Sequence, residues 1–599
     1  MFMTDTSSNQ FVPPTFRTGR TGLLIACAVV TLLVGCSENA GIQEPVEAKD
    51  AELRATEPAA TEPAAPRSAT KTANRQNLAK KVVTESGAYL VRLRPREDHF
   101  LIGESQAWIA SITDAQGIAF TPSVLYLDGG MPGHGHGLPS APRFTQHLGG
   151  ADYLLEGMTL NMPGDWRFVV TVGGAAGTDS AVFDLNIQPG EIGASEQTSP
   201  ANAASPWSST ELALIESLRL DKLKPPVDES NRFLGNAKAI AVGEALFNEV
   251  GLSATGEVSC ATCHQADKGF ADGKRFSVGS KQTVRHTPAL LGISHADWFY
   301  WDGRRDSLWA QAITPIETVG EMDNNRTDAI RFIANHPDYS SAFRELASEE
   351  AAFFPELSDT QRFPIGASPF GAGKLSWHRM AQTDKTNINR AYATLGKFLA
   401  SFEATLQHKA GAFDQWASTE AVKANSQGNP FGADEQAGLK LFLDLPKTQC
   451  LRCHNGALFT NQGFHNVATS ESLISDPTRS SHDFGRMLGL QAVIVDPFNC
   501  SGEFSDASSE GCQHLTFARR QNLNETIDGA FKVPSLRNLQ NTAPYFHDGR
   551  FATLEDVMEH YRNQKTDGKG ERVDRVSEVP DIDITDTERD QLVAFLKAL

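Results

Sequence analysis

Two short runs carry the most specific chemistry in this 599-residue chain: Cys260-Ala-Thr-Cys-His264 and Cys450-Leu-Arg-Cys-His454. Paired cysteines at this spacing can add to the vinyl groups of a haem, and the adjoining histidine is then held beneath the iron as its proximal ligand. A zinc site or a redox disulfide is the competing reading, and neither accounts for two complete copies of the pattern. The spacing predicts two covalent c-type haems, one on Cys260, Cys263 and His264 and one on Cys450, Cys453 and His454. A third run, Thr542 to Asn563 (TAPYFHDGRFATLEDVMEHYRN), offers Met558, His560 and Tyr561 for the far side of an iron. The choice matters, because a thioether stabilises ferrous haem whereas a phenolate stabilises its oxidised states.

These residues need rigid elements to hold them. From Ser208 onward apolar residues recur at helical spacing, as in STELALIESLRLDKL, AIAVGEALF and DEQAGLKLFL, and helices over 238–247 and 433–442 precede the two motifs. Two mainly α-helical cytochrome c-type domains are expected, one over 208–425 and a second over 426–599. Upstream, over 82–190, short alternating runs such as YLVRLRP, AWIASITD and WRFVVTV are separated by Gly, Pro and Asp turns, the pattern of an antiparallel β-sandwich. The fold class is therefore multidomain: an N-terminal antiparallel β-sandwich, a linker over 191–207, and the two haem domains.

The remaining N-terminal residues read as targeting and tether. Arg17 and Arg20 precede GLLIACAVVTLLVGC, an apolar run of signal-peptide length that ends in Leu33-Val34-Gly35-Cys36. It resembles a lipoprotein signal over 1–36 with Cys36 acylated, which would attach an exported, periplasm-facing chain to a membrane, the outer one. Residues 37–81, rich in Ala, Pro, Glu and Thr, cannot bury enough apolar surface to fold and form a tether. An oxidising compartment favours a disulfide between Cys500 and Cys512. The net charge of -19 and pI near 5.3 leave no basic stripe for nucleic acid.

Within the β-domain, MPGHGHG places Met131, His134 and His136 close together, with His147 and Met162 following. Thioether and imidazole suit Cu(I). A Gly-rich turn whose histidines cap local backbone is the alternative.

Between and after the haem motifs, RHTPALLGISHADWFYWDGRRDSLWAQAITPIETVGEM (285–322) and GAFKVPSLRNLQNTAPYFHDGRFATLEDV (529–557) closely resemble the bacterial di-haem cytochrome c peroxidase and MauG superfamily. The FNCSGEFSDAS loop is similar to its MbnH-like branch, and the β-domain resembles YtkA-like exported modules, some of which are associated with copper. The resemblance implies that Trp301 relays electrons between the haems, and that Gln311, Pro315 and Glu321 form the distal pocket of the first haem, with Glu321 as acid/base. Ser280 stands where ordinary members carry a histidine that caps this iron, so the first haem should rest open. Calcium between the domains would use backbone oxygens of Thr542 and Pro544, but the usual Asn is His286, a poor calcium ligand. His547 matches a histidine that packs near the second haem without ligating it. The family methionine position, counted from Tyr545, falls on Tyr561, with Met558 one helical turn away as the competitor.

The function expected from this resemblance is an exported di-haem peroxidase that uses hydrogen peroxide to form high-valent iron and oxidises an external donor, a side chain of a partner protein. Two rivals stand beside it. One is a cytochrome c peroxidase that detoxifies peroxide with electrons from a small cytochrome; the other is a non-enzymatic electron-transfer cytochrome with a copper-binding module. Thr448 occupies the position at which MauG proteins carry an exit tryptophan, which leaves the route to a protein substrate open.

Overall fold

The structure is a computed structural model and describes residues 79–97, 105–131, 136–137, 142–160, 164–187, 206–418, 431–444, 447–470, 482–508, 512, 515, 527–563, 577, 579 and 582–599. The signal with Cys36, the tether, His134 and Met162 lie outside the described residues, as do the side chains of Met131 and His136.

Alternating sequence becomes two antiparallel sheets. The first joins β1 (Lys80–Val83), β2 (Tyr89–Pro95), β3 (Ser105–Asp114), β7 (Asp152–Thr159) and β6 (Arg143–Gly149) in that spatial order. The second joins β5 (His136–Gly137), β4 (Val124–Met131), β8 (Gly164–Gly174) and β9 (Gly177–Ile187). Successive strand residues face opposite sides, so Tyr89, Val91 and Leu93 of β2 turn inward while Arg92 faces water. Trp108 of β3 meets Phe168 of β8 edge-on at 6.3 Å, and both are fully buried. These contacts make the expected sandwich, with its first strand starting at Lys80. Met131 and His136 are register partners across β4 and β5. His147 is spent elsewhere: its ring stacks on Tyr153 and its Nε2 meets the Gly150 carbonyl at 3.1 Å.

The helices that position the two motifs are α1 (Ala237–Phe247), α2 (Cys260–Cys263), α3 (Leu308–Glu317) and α4 (Gln382–Glu403), then α5 (Ala433–Leu443), α6 (Cys450–Cys453), α7 (Leu554–Arg562) and α8 (Asp586–Lys597). Asn236 caps α1 by accepting from the Lys238 and Ala239 N–H groups. Thr585 and Glu588 form a capping box on α8. A short repeat underlies the two halves: Gly243-Glu-Ala-Leu-Phe247 and Gly438-Leu-Lys-Leu-Phe442. Each glycine lets its helix touch another backbone. A Cβ on Gly243 would lie 2.0 Å from the Phe398 carbonyl oxygen of α4, and one on Gly438 would lie 2.0 Å from the Gln591 carbonyl oxygen of α8. Phe247 and Phe442, each 2% exposed, close the cores beneath.

The core of the second haem unit also takes in Trp207, Ile215, Leu218, Phe413 and Trp416, residues that precede 426 in the chain. The buried pair Arg537–Asp414 explains the attachment: Arg537 donates to both carboxylate oxygens and to the Leu218 carbonyl, while Asp414 also accepts from the Leu220 N–H. Cys500 and Cys512 form the expected disulfide.

Replacing Gly438 by Ala should force α5 and α8 apart and destabilise the chain by about 1–3 kcal/mol, the usual cost of overpacking. Thermal unfolding of the holoprotein measures this; an unchanged midpoint would mean that the close approach does not matter.

Candidate haem sites and the wall between them

Each motif histidine is oriented the same way. His264 Nδ1 meets the Phe270 carbonyl at 2.8 Å, and His454 Nδ1 meets the Phe459 carbonyl at 3.1 Å. With Nδ1–H donated, Nε2 carries the free lone pair in each ring. Burial depresses the basicity of both rings, His454 to about 4, so each is neutral and able to ligate at pH 7. Cys260, Cys263, Cys450 and Cys453 form no disulfide among the described residues. Each motif lines its own cavity, so the residues present fit a covalent haem in both places.

The first cavity is roofed by α3, where Gln311 and Pro315, four residues apart, share a face. Gln311 is buried and its Oε1 has no hydrogen-bond partner, which leaves an acceptor aimed at whatever fills the space. Glu321 follows in the turn after the helix, its N–H donating to the Thr318 carbonyl. Burial raises its carboxyl above the usual range and Arg304 opposes that shift, a balance suited to proton exchange. Ser280 contributes no ligand: its N–H donates to the Glu321 carbonyl at 2.7 Å and its hydroxyl to Asp323 at 2.9 Å. The other histidines on this cavity, His286 and His482, are engaged by the Lys274 carbonyl and by Asp528.

Both cavities share one wall, made of Tyr300, Trp301, His286 and Pro288. Trp301 is held at its ring and its peptide: Nε1 donates to the His286 carbonyl at 2.9 Å, and its own carbonyl accepts from Lys532 N at 2.8 Å. Next to it Asp302 accepts from Arg285 and Arg304, and Arg285 reaches on to Asp483 with two hydrogen bonds. Despite burial, the two arginines hold the Asp302 carboxyl well below the usual range.

In the second cavity, α7 presents Leu554, Val557, Met558 and Tyr561 along one face. His560 points away: its Nε2 meets the Val467 carbonyl at 2.8 Å and its ring rests against Phe551. Burial pushes the Tyr561 phenol up. Its proton would leave only for a positive charge at the oxygen, which a ferric iron supplies. His547 stacks on Phe531 at 3.5 Å and is 2% exposed. Thr448 is buried and donates to the Leu441 carbonyl, so the position of the MauG exit tryptophan does not reach the surface here.

Several wall residues escaped the sequence reading. Tyr300 and Arg304 flank Trp301 in YWDGRR, and the Arg304 guanidinium lies 3.5 Å over the Tyr300 ring. That arrangement was within reach from the motif alone. Glu403 was not, since it ends an ordinary amphipathic helix. The last residue of α4, it lines the first cavity at 3% exposure and its Oε2 has no partner. Burial pushes its carboxyl up to about 8, and the C-terminal end of a helix also disfavours a negative charge.

A carboxyl with a raised folded pKa binds its proton more tightly when folded, so it stabilises at low pH and that stability drains away as pH climbs from the ordinary Glu value toward 8. Glu403→Gln should therefore flatten the fall in thermal midpoint between pH 5 and pH 8. An equally steep fall in the variant would show that Glu403 ionises normally.

Comparison with known proteins agrees with this architecture. A family profile described as di-haem cytochrome c peroxidase matches residues 237–422. The methylamine utilization protein MauG of Methylorubrum extorquens is 30% identical over 362 residues, 60% of this chain and 77% of that protein. The cytochrome-c peroxidase IdrP1 of Denitromonas iodatirespirans is 27% identical over 387 residues, 63% of this chain and 85% of its own. The crystal structure of a MauG-like protein associated with microbial copper homeostasis aligns with a TM-score of 0.42 and 22% identity, covering 63% of this chain and 93% of that one. With two complete haem motifs on two cavities that share a wall, this chain belongs to the di-haem cytochrome c peroxidase and MauG family, enzymes that act on hydrogen peroxide.

Proposed function

We propose that this peroxidase passes the oxidising power of hydrogen peroxide through its second haem to a side chain of a partner protein, and that His454 and Tyr561 would hold the iron of that haem. One observation carries the reading. Of the three candidate residues on α7, His560 is spent on a backbone carbonyl, while the Tyr561 phenol lines the same cavity as Cys450, Cys453 and His454. Met558 shares the face and lines the same cavity, and the family position counted from Tyr545 falls on Tyr561.

When bound, the haems supply an iron that takes peroxide and a second centre that stores an oxidising equivalent. Glu321 takes a proton from one peroxide oxygen and returns it to the leaving oxygen, and Arg304 keeps the carboxyl ionisable in its buried setting. Gln311 offers its unpartnered amide oxygen to the incoming hydroxyl, and Pro315, in the last turn of α3, shapes the pocket roof. The backbone ties of Ser280 keep the loop it belongs to against the Glu321 turn, which leaves the distal side open. Trp301 stands in the wall common to both cavities and passes electrons between them. A lipidated Cys36 would hold the exported enzyme at a membrane, where its partner is met.

A phenolate favours the oxidised forms of its iron, which is the property a store of oxidising power needs and an electron-accepting peroxidase haem does not. The detoxifying peroxidase is therefore the second reading, and Met558 ligation is its signature.

Glu321→Gln should keep both haems attached and slow the reaction with peroxide by about 10² to 10⁴ in stopped-flow absorbance, the usual worth of a positioned acid/base. Rates equal to wild type would remove Glu321 from the chemistry. Tyr561→Phe should abolish partner oxidation, read by mass spectrometry of co-incubated partner proteins, while peroxide still reacts at the first haem. Should the wild type leave partner proteins unoxidised, and Met558→Leu but not Tyr561→Phe change the spectrum of the second haem, the detoxifying reading takes its place.

A further inference from the structure

The mouth of the first cavity is built from three segments that are tied to one another. Lys281 N donates to the Gly320 carbonyl at 3.0 Å, which sets the 278–284 loop against the turn that carries Val319. Arg285 Nη2 donates to Asp483 Oδ1 at 2.8 Å, which sets the end of the same loop against 482–488. Four apolar side chains on these segments line the cavity and still face solvent: Val284, Val319, Phe484 and Leu488 are between 39% and 76% exposed. Exposed apolar residues scattered singly carry no message, but four on one opening mark a place for an apolar ligand.

One polar ring stands among them. His482 lines the same cavity and meets Phe484 edge-on, with ring centroids 4.7 Å apart. Its Nε2 lies 2.6 Å from Asp528 Oδ1, so that nitrogen carries the proton and donates it to the carboxylate. Nδ1 is then a bare lone pair, shielded from solvent and without a hydrogen-bond partner among the described residues. A carboxylate behind an imidazole fixes the tautomer and favours the charged ring that follows proton uptake. The mouth therefore offers an apolar lining about the size of one aromatic ring and a single acceptor for one hydroxyl proton. A protein partner would cover roughly 800 Å² of this face, far more than four side chains supply.

We infer that the mouth of the first cavity binds a small phenol as a second, direct electron donor, its ring on Val284, Val319, Phe484 and Leu488 and its hydroxyl on His482 Nδ1. Each phenol gives up one electron and one proton and becomes a phenoxyl radical. Hydrogen peroxide takes up two of each and becomes two waters, so two phenols balance one peroxide, the oxidant this enzyme already uses. As the electron leaves the ring, the O–H bond breaks and its proton passes to His482 Nδ1, with the Asp528 carboxylate facing the imidazolium that results. Glu321 lies in the same cavity, so these electrons reach the peroxide site without crossing Trp301. His482 is a catalytic residue for the phenol and takes no part in peroxide cleavage. This outlet rests on the peroxidase activity alone, and on neither Tyr561 ligation nor partner oxidation.

The test uses the holoprotein and 4-methylphenol. Without peroxide, the ferric protein should broaden the methyl proton resonance of the phenol in a saturable way, because the ring binds beside a paramagnetic centre. No broadening would overturn the site without any variant having to fold. With peroxide, coupled phenol dimers should form, and their rate of formation, followed by mass spectrometry, should saturate with phenol. Leu488→Glu, at an exposed position, should raise KM about tenfold, equivalent to about 1.4 kcal/mol of binding. His482→Gln should lower kcat about 100-fold with little change in KM, within the usual worth of a positioned base. A rate linear in phenol and equal in wild type and both variants would mean random collision and refute the site. Tyr561→Phe, which abolishes partner oxidation on the reading above, should still oxidise 4-methylphenol. Loss of both activities in that variant would route these electrons through the second haem and overturn the direct outlet, whereas loss of neither would count against the Tyr561 reading alone.

Discussion

The arrangement of this enzyme depends on how one indole is fixed. Trp301 lies in the only segment that contributes continuous residues, Tyr300 through Trp301, to both described haem cavities, and main-chain partners from both haem units hold it, its indole by the His286 carbonyl and its own carbonyl by the Lys532 N–H. Backbone partners cannot change rotamer, so the ring position is set by where the two haem units meet. The ion pairs of Asp302 with Arg285 and Arg304, and of Arg285 with Asp483, lock the adjoining peptide from both units. Charges so buried would be costly singly, and the network is tolerable because each carboxylate has its guanidinium.

Around that wall the two cavities differ in polarity, and the difference matches a division of labour. The first gathers carboxyls and an unpartnered amide, Glu321, Glu403 and Gln311, groups that hold or move protons. The second is walled by Leu554, Val557, Met558, Leu592 and Leu596, with a phenol among them. Apolar surroundings keep that phenol protonated unless a cation sits against its oxygen.

Much of this could be read from the chain. The paired motifs located both cavities because covalent attachment demands a fixed local pattern, and alternating runs such as YLVRLRP located the sandwich because strand faces alternate. Trp301, Gln311, Pro315 and Glu321 were placed by resemblance, and the structure brings all four to the first cavity. Harder to see were Glu403, which closes an unremarkable helix 139 residues beyond His264, and the role of Trp207 and Trp416 in the second unit's core. Such contacts depend on how helices cross, and local pattern carries no record of that. The copper reading of Met131, His134 and His136 falls largely outside the described residues; only the cross-strand pairing of Met131 with His136 is defined.

The identity of the second haem's sixth ligand decides between storing oxidising power and accepting electrons. Magnetic circular dichroism of the untreated ferric protein reads it directly, since thioether ligation gives a near-infrared sulfur-to-iron charge-transfer band that phenolate ligation lacks. The expected result is a low-spin histidine–tyrosinate haem with no such band, beside a high-spin first haem. A thioether band in the wild-type spectrum, lost in Met558→Leu, would contradict ligation by Tyr561 and return the chain to the peroxidases that only remove peroxide.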